Sequence, residues 1–276
     1  MVPHAPVTVR EVASRAGVSL GTVSNVLNRP ETVAETTRRR VLDAVRELGF
    51  VRNESARQLR AGRSRTISLI VLDVGNPFFT DIARGVEETA EQLGLSVVLC
   101  NSAQRSQREE RYLSLAEEQR VLGVLISPVG DVASRLEALR ARGIPSVLVD
   151  RGTPSPNQCS VSVDDIAGGK AAVEHLVDHG HRRIGYVGGD FEIAQVRDRL
   201  QGAREAAIRH GLGESAVTVV EVPALNIASG RVAGERLVAM APRERPTAVF
   251  CANDLLALGV LQQLVIGGVR VPEDVA

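Results

Sequence analysis

Along the first fifty residues, apolar side chains return every three or four positions, the spacing of a single helical face. Thr8 followed three residues later by Glu11 has the form of a capping box. Val9, Val12, Ala13 and Ala16 then share a face until Gly17 supplies a left-handed stop. Ser19 caps a second segment, Leu20–Asn28, with Val23, Val26 and Leu27 turned inward, and Arg29-Pro30 breaks it. A third helix is predicted over Glu35–Leu48, carrying Val41, Leu42, Val45 and Leu48, with Gly49 at its end. Two helices joined by a tight glycine turn and buttressed by a third describe a helix-turn-helix unit.

Beyond Thr66 the pattern changes to short, nearly continuous apolar runs separated by helical stretches. Strands are predicted at 66–72, 95–100, 121–126, 146–149, 160–163, 183–187, 217–222 and 248–251. Helices are predicted at 79–93, 107–119, 132–142, 166–179, 196–210, 229–241 and 254–267. Repeated βα units of this kind imply parallel sheets covered on both faces. The fold class is therefore α/β: a small all-α headpiece at 7–52, a short linking segment at 53–65, and a two-lobed parallel-sheet core at 66–276. The interval 151–157, with Pro154 and Pro156, is the expected crossing between lobes at about 66–157 and 158–276.

The 276 residues, 44% hydrophobic and 24% charged, have the make-up of a globular chain long enough for about two domains. No apolar run approaches the ~18 residues needed to span a bilayer, and residues 1–9 lack the pattern of a secretory signal. Cys100, Cys159 and Cys251 are too widely spaced for a disulfide framework or a CxxC metal pair, so a reducing cytoplasm is expected. The formal net charge is zero, from 33 basic and 33 acidic residues, but it is unevenly spread. Residues 1–65 hold twelve arginines against six carboxylates, leaving a basic head on an acidic body. That is the charge pattern of a polyanion-binding module joined to a second domain; an arginine-rich solvated helical surface is the plainer alternative.

With Val23, Val26 and Leu27 buried, the second helix turns Leu20, Gly21 and Asn25 outward, with Thr22 and Ser24 on its flanks. A helix of this size fits a major groove. There Asn25 could pair bidentately with adenine, Leu20 touch a thymine methyl, and Gly21 permit close approach; the two hydroxyls suit phosphates. Asn53 could cap a short helix running to Ala61, with Ala56 and Leu59 at i and i+3, a helix marginal in water by itself.

These residues resemble a known family. "VTVREVASRAGVSLGTVSNVLN", from Val7 to Asn28, is similar to the DNA-binding headpiece of the lac-repressor family of bacterial transcription regulators. "TRRRVLDAVRELGF" and "NESARQLRAGRS" keep that family's order and spacing to Ser64. The resemblance implies that the segment from Asn53 folds when two copies meet on DNA, and that Leu59 wedges into the minor groove. It also implies a homodimer or higher oligomer on an approximately palindromic operator. The DNA-facing set is then Thr8, Ser19, Leu20, Gly21, Thr22, Ser24, Asn25, Asn28, Arg29, Asn53, Ala56, Arg57 and Leu59. Two departures stand out: Ala34 replaces a usual capping serine, and Arg52 replaces a usual proline.

Ligands of parallel sheets bind beyond the carboxyl ends of the strands. Those ends carry Asp73, the Asn76-Pro77-Phe78-Phe79 turn, Asp150-Arg151, Arg197, Arg199 and Asn253-Asp254. Rings beside charged groups suit a small polar ligand such as a sugar or nucleoside, although each acid could equally be a helix cap or ion-pair partner. "VSVDDIAGGKAAVEHLVDHGHRRIGYVGG", "RLQGAREA" and "AVFCANDLLALGVLQQL" resemble the family's effector-binding core, akin to type I periplasmic binding proteins. By that resemblance Arg199, Asn253 and Asp254 contact an effector, with Phe78, Phe79 and Asp150 matching less tightly. The chain stops at "VRVPEDVA", where the family continues for roughly sixty residues more, and a fragment is expected.

Other constellations point nowhere definite. His175, His179 and His181 cluster, but with no cysteine nearby a metal is not expected. "GYVGGD" is not GxGxxG, and GxxxxGK[ST] is absent. Gly17 to Gly21 spells GxSxG, yet a helix rather than a strand precedes the serine. No catalytic residue, cofactor or membrane partner is expected. The reading is a DNA-binding repressor controlled by a sugar- or nucleoside-like effector. The alternative is a sugar-binding or sugar-processing α/β protein with an incidental basic module.

Overall fold

The computed structural model describes residues 7–51 and 64–276, and these form two compact units. The first contains α1 (Val9–Ala16), α2 (Leu20–Asn28), a 3₁₀ turn (Pro30–Thr32) and α3 (Glu35–Leu48). Both halves of the capping box form: Thr8 Oγ1 accepts from the Glu11 N–H at 3.3 Å, and Glu11 Oε2 accepts from the Thr8 N–H at 2.6 Å. Gly17 adopts φ 62°, which turns the chain out of α1, and Ser19 Oγ accepts from the Thr22 N–H at 3.1 Å to start α2. Val12, Val23 and Val41, one from each helix, are wholly buried, with Ala13, Ala16, Val26 and Ala44 around them. Leu42 lies outside this core at 41% exposure; the inward position one turn after Val41 belongs to Ala44. Ala34 makes no side-chain cap, and Glu35 instead pairs with Arg38 and Arg39 in the first turn of α3.

The second unit has two parallel sheets. The first is built from β1 (Thr66–Val71), α4 (Pro77–Gln92), β2 (Ser96–Asn101), α5 (Ser106–Glu118), β3 (Gly123–Ile126), α6 (Ala133–Ala141), β4 (Ser146–Val149) and β5 (Cys159–Val161), in strand order β2-β1-β3-β4-β5. The second contains α7 (Asp165–Asp178), β6 (Ile184–Gly188), α8 (Ala194–Arg209), β7 (Val217–Glu221), α9 (Ile227–Ala239), β8 (Ala248–Cys251) and α10 (Asp254–Ile266), in order β7-β6-β8. Ala276 continues this sheet outward: its N–H donates to the Thr247 carbonyl, and its carbonyl accepts from Val249 N–H at 2.8 Å. Among the described residues no helix is long and apolar enough to cross a membrane.

One boundary differs from the sequence expectation. The strand predicted at 160–163 pairs with β4 in the first sheet, Leu148 beside Ser160 and Val149 beside Val161. The chain therefore leaves that sheet after Val161 rather than within 151–157. All three residues of β5 are exposed, so β4's free edge, not a hydrophobic pattern, decides where this strand goes.

The helices that frame the second sheet approach closely. A Cβ at Gly202 of α8 would overlap the Ile166 carbonyl of α7, and one at Gly169 of α7 would overlap the Arg199 carbonyl. Only glycine permits that backbone contact, which holds the first turns of α8 against the start of α7. Gly202→Ala should lower the unfolding free energy by about 1–3 kcal/mol in urea titrations. Gly85→Ala, on exposed α4 with open space around it, should leave stability level or raise it by about 0.5–1 kcal/mol. Equal effects at the two positions would contradict this packing.

Candidate functional site

Two surfaces, one in each unit, are the candidate sites. In the first unit α2 buries Val23 and Val26 and leaves Leu20 at 47% exposure, with Gly21, Asn25 and Asn28 also outward. These positions form a single stripe along the helix. The hydroxyls beside it are engaged locally: Ser19 Oγ lies 2.9 Å from Thr22 Oγ1, and Asn28 Nδ2 donates to Ser24 O at 2.7 Å and Oγ at 3.2 Å. Thr8 is held in its capping box. Arg15, Arg38, Arg39 and Arg46 form ion pairs with Glu47, Glu35, Glu35 and Asp43. Exposed Arg10, Arg29 and Arg40 have no ion pair among the described residues; of these, sequence reasoning singled out only Arg29. Asn53, Ala56, Arg57 and Leu59 lie outside the described residues.

In the second unit the carboxyl ends of the strands surround a cavity of about 390 Å³. Phe78, Phe79, Asp150, Arg199, Asn253 and Asp254 all line it. Asn76 Oδ1 accepts from the Phe78 N–H at 3.1 Å and starts α4, so that Phe78 and Phe79 stand edge to face with centroids 5.1 Å apart. Asn253 Oδ1 caps α10 through the Leu256 N–H at 2.9 Å, while its Nδ2 donates to the Leu225 carbonyl at 3.1 Å. Arg199 Nε donates to Asp165 Oδ1 at 2.8 Å, and Nη1 donates to the Ala252 carbonyl, tying α8 to α7 and to the loop after β8. Burial pushes the Asp165 carboxyl upward, against the pull of Arg199. Phe250 and Cys251 complete the wall; burial raises the Cys251 thiol to about 12, so it stays protonated and a poor nucleophile at neutral pH.

Asp150 is the most unusual residue of the cavity. It follows β4 at φ 56°, in left-handed backbone that aspartate tolerates better than most side chains, and is only 8% exposed. Gln195 Nε2, from the first turn of α8, donates to its main-chain oxygen and to its Oδ2, the latter at 2.9 Å. Burial raises the carboxyl to about 6, opposed by the Gln195 hydrogen bond and Arg199 and reinforced by the nearby Asp165 charge. Asp150 Oδ1 and Gln195 Oε1 are buried without a hydrogen-bond partner among the described residues.

Sequence reasoning did not reach Gln195, Ile193, Val196 or Leu225, which also line the cavity. One signal was present for Gln195: it stands four residues before Arg199, on the same face of α8. Three residues placed near the strand ends turn elsewhere. Asp73 accepts from the Gly75 N–H at 2.9 Å, Arg151 donates to the Gly130 carbonyl, and Arg197 lies on the surface. The His175 and His179 rings lie together, centroids 4.3 Å apart, with His179 Nδ1 meeting the His175 carbonyl, whereas His181 Nδ1 turns to Thr247 Oγ1 at 3.0 Å.

Asp150 contributes to the pH dependence of stability, together with Glu109 and Asp165, whose carboxyls burial also raises. Native Asp150 keeps its proton to about 6, whereas an unfolded aspartate releases it near ~4. The native state thus binds the extra proton between those values, and stability falls as pH rises through the window. Asp150→Asn, neutral and tolerant of the same φ, should remove a loss on the order of 2–3 kcal/mol between about pH 4 and 7. Parallel urea-unfolding curves for the two proteins across that range would contradict the assignment.

Comparison with known proteins matches both units. Residues 8–53 match the family model described as bacterial regulatory proteins, lacI family, and residues 64–276 match periplasmic binding proteins and sugar binding domain of LacI family. The chain is 34% identical over 271 residues to the HTH-type transcriptional repressor PurR of Photobacterium profundum, covering 98% of this chain and 80% of that protein. A LacI-family transcriptional regulator from Silicibacter pomeroyi superposes with a TM-score of 0.85 at 26% identity, over 98% of this chain and 80% of that one. The lac repressor dimer bound to operator and the anti-inducer ONPF gives 0.79 at 28% identity, over 99% and 81%. A capped helix-turn-helix headpiece and a two-sheet core, each matched along nearly its whole length, place this chain in the LacI family of bacterial regulatory proteins, as a DNA-binding transcriptional regulator.

Proposed function

We propose that this regulator represses transcription by reading an approximately palindromic operator as a homodimer, and that a small sugar- or nucleoside-like effector in the cavity sets its operator affinity. The observation that carries the reading is the outward stripe of α2, held rigid by the Ser19 cap and the Val23 contact. Asn25 reads an adenine edge, Leu20 meets a thymine methyl, and Gly21 lets the helix lie close to the groove floor. Arg10, Arg29 and Arg40, free of ion pairs among the described residues, neutralise phosphates. The segment carrying Asn53, Ala56, Arg57 and Leu59 joins the contact, with Leu59 as the minor-groove wedge. The lac repressor dimer on its operator, similar over both units, supports the two-fold arrangement. Effector binding between the two sheets biases the chain toward one of two populations that differ in DNA competence.

Anisotropy titrations on a palindromic duplex selected from a random library test the DNA reading. Affinity should fall steeply with salt, and Arg40→Ala should weaken specific and nonspecific duplexes alike while lowering the slope by about two, one contact from each protomer. Asn25→Ala should cost about 1–3 kcal/mol per half-site of the selected duplex and almost nothing on a scrambled one. Leu59→Ala should likewise weaken specific more than nonspecific binding. A flat salt response, or equal losses on both duplexes for Asn25→Ala, would contradict the proposal.

A further inference from the structure

The two sheets of the second unit are joined covalently at one edge and touch again at the other. The described chain passes from the first sheet to the second once, at 162–164, between β5 and α7. Asp150, with its Gln195 contact, sits at this crossing, since its N–H donates to the Val161 carbonyl at 2.8 Å. β5 is one edge of the first sheet and β2 is the other, in the order β2-β1-β3-β4-β5. Four strand spacings place β2 about 19 Å from the crossing. There Gln104, three residues beyond β2, reaches over to the second half: its Oε1 accepts from the Leu225 N–H at 3.3 Å.

Both ends of this contact are held. Ala103 and Gln104 adopt φ 50° and 58°, two successive left-handed residues that are not glycine. Such backbone persists where the surroundings fix it, and it gathers at clamps and switches. Here the Ala103 N–H donates to Asn101 Oδ1 at 3.0 Å, and the Gln104 N–H donates to the Leu72 carbonyl at 3.1 Å. On the other side the Leu225 carbonyl accepts from Asn253 Nδ2 at 3.1 Å, while its N–H faces the first half. A backbone N–H only donates, so it selects the oxygen end of the Gln104 amide. Leu72 and Leu225 both line the cavity, so Gln104 ties one wall of it to the other.

We propose that Gln104 is a clasp, a positioning residue that holds the two sheets in their closed arrangement at the edge where opening would part them most. A hinge rotation of about 10° at the crossing moves a point ~19 Å away by ~3 Å, enough to break a hydrogen bond that is already 3.3 Å long. The same rotation moves Asp150 and Gln195 little, because they lie beside the crossing. Closure therefore turns on Gln104 rather than on the hinge contact. A ligand seated between Leu72 and Leu225 and the clasp favour the same state. The clasp rests on the fold alone; its effect on DNA rests on the proposed coupling of the cavity to operator affinity.

Double electron–electron resonance on the full chain tests the clasp. Nitroxides are placed at Gln107→Cys and Glu221→Cys, exposed positions on either side of the far edge, after Cys159→Ser removes the exposed native thiol. Gln104→Gly suits the left-handed backbone, so the chain should keep its stability while losing the contact. Gln104→Glu keeps an acceptor at the same reach. The mean distance should lengthen by about 3 Å or more in Gln104→Gly and stay at the parent value in Gln104→Glu. Distances that coincide in the parent and Gln104→Gly, or that lengthen equally in both variants, overturn the clasp. On the palindromic duplex Gln104→Gly should shift affinity at least threefold at an unchanged salt slope, with Gln104→Glu matching the parent. Lengthened distances with unchanged duplex affinity overturn the regulatory consequence and support the clasp. A parent chain that binds no duplex overturns the DNA reading, and the distances then decide the clasp by themselves.

Discussion

Three valines, one from each headpiece helix, are withdrawn completely from water, and their contact decides which face of α2 remains outside. A core this small has little else to bury. Removing any of the three side chains would forfeit a large share of the apolar stabilisation of the unit. Gly17 sets the angle at which α2 leaves α1, and Ser19 fixes its first residue. Once these are set, Leu20, Gly21 and Asn25 cannot turn inward, because Val23 and Val26 already occupy the inner face. On the proposed reading, recognition is a consequence of packing: the helix would read with whatever the core does not claim.

The second unit is governed by a different constraint, the close passage of α7 and α8 at Gly169 and Gly202. It brings the first turns of α8 within reach of Asp165 on one side and Asp150 on the other, so that Arg199 and Gln195, one turn apart, fasten to two different carboxylates. Asp150 follows β4 of the first sheet, whereas Gln195 begins a helix of the second, so their hydrogen bonds connect the two halves of the unit directly. A ligand in the cavity would lie beside the contact that joins the sheets. That gives a physical route from cavity occupancy to the relative placement of the halves.

Much of this architecture was legible in the residues because the signals were local. Thr8 with Glu11, Gly17 and Ser19 mark helix ends through hydrogen bonds that span only a few residues, and they form as read. Central strands such as β6, buried along its whole length, announce themselves as apolar runs. The exceptions depend on partners distant in sequence. β5 is an exposed edge strand whose place is set by β4, so its own composition could not reveal which sheet it joins. Gln195 looks like any polar residue at a helix start until the packing of α8 turns it toward Asp150. Leu42 shows the converse: an apolar residue in an amphipathic pattern, left outside because the three-helix core is already filled. The residues at strand ends that do surround the cavity were found by a topological rule, which places ligands there without knowing which way each side chain points.

The central claim, that the outer stripe of α2 is the surface that meets DNA, is tested most directly by amide NMR of the isotopically labelled chain with and without a palindromic duplex. The account predicts shift changes concentrated at Leu20, Gly21 and Asn25, with the buried Val12 and Val41 amides little affected. Resonances of α2 that stay in place while the protein is bound, or changes confined to the second unit, would contradict it.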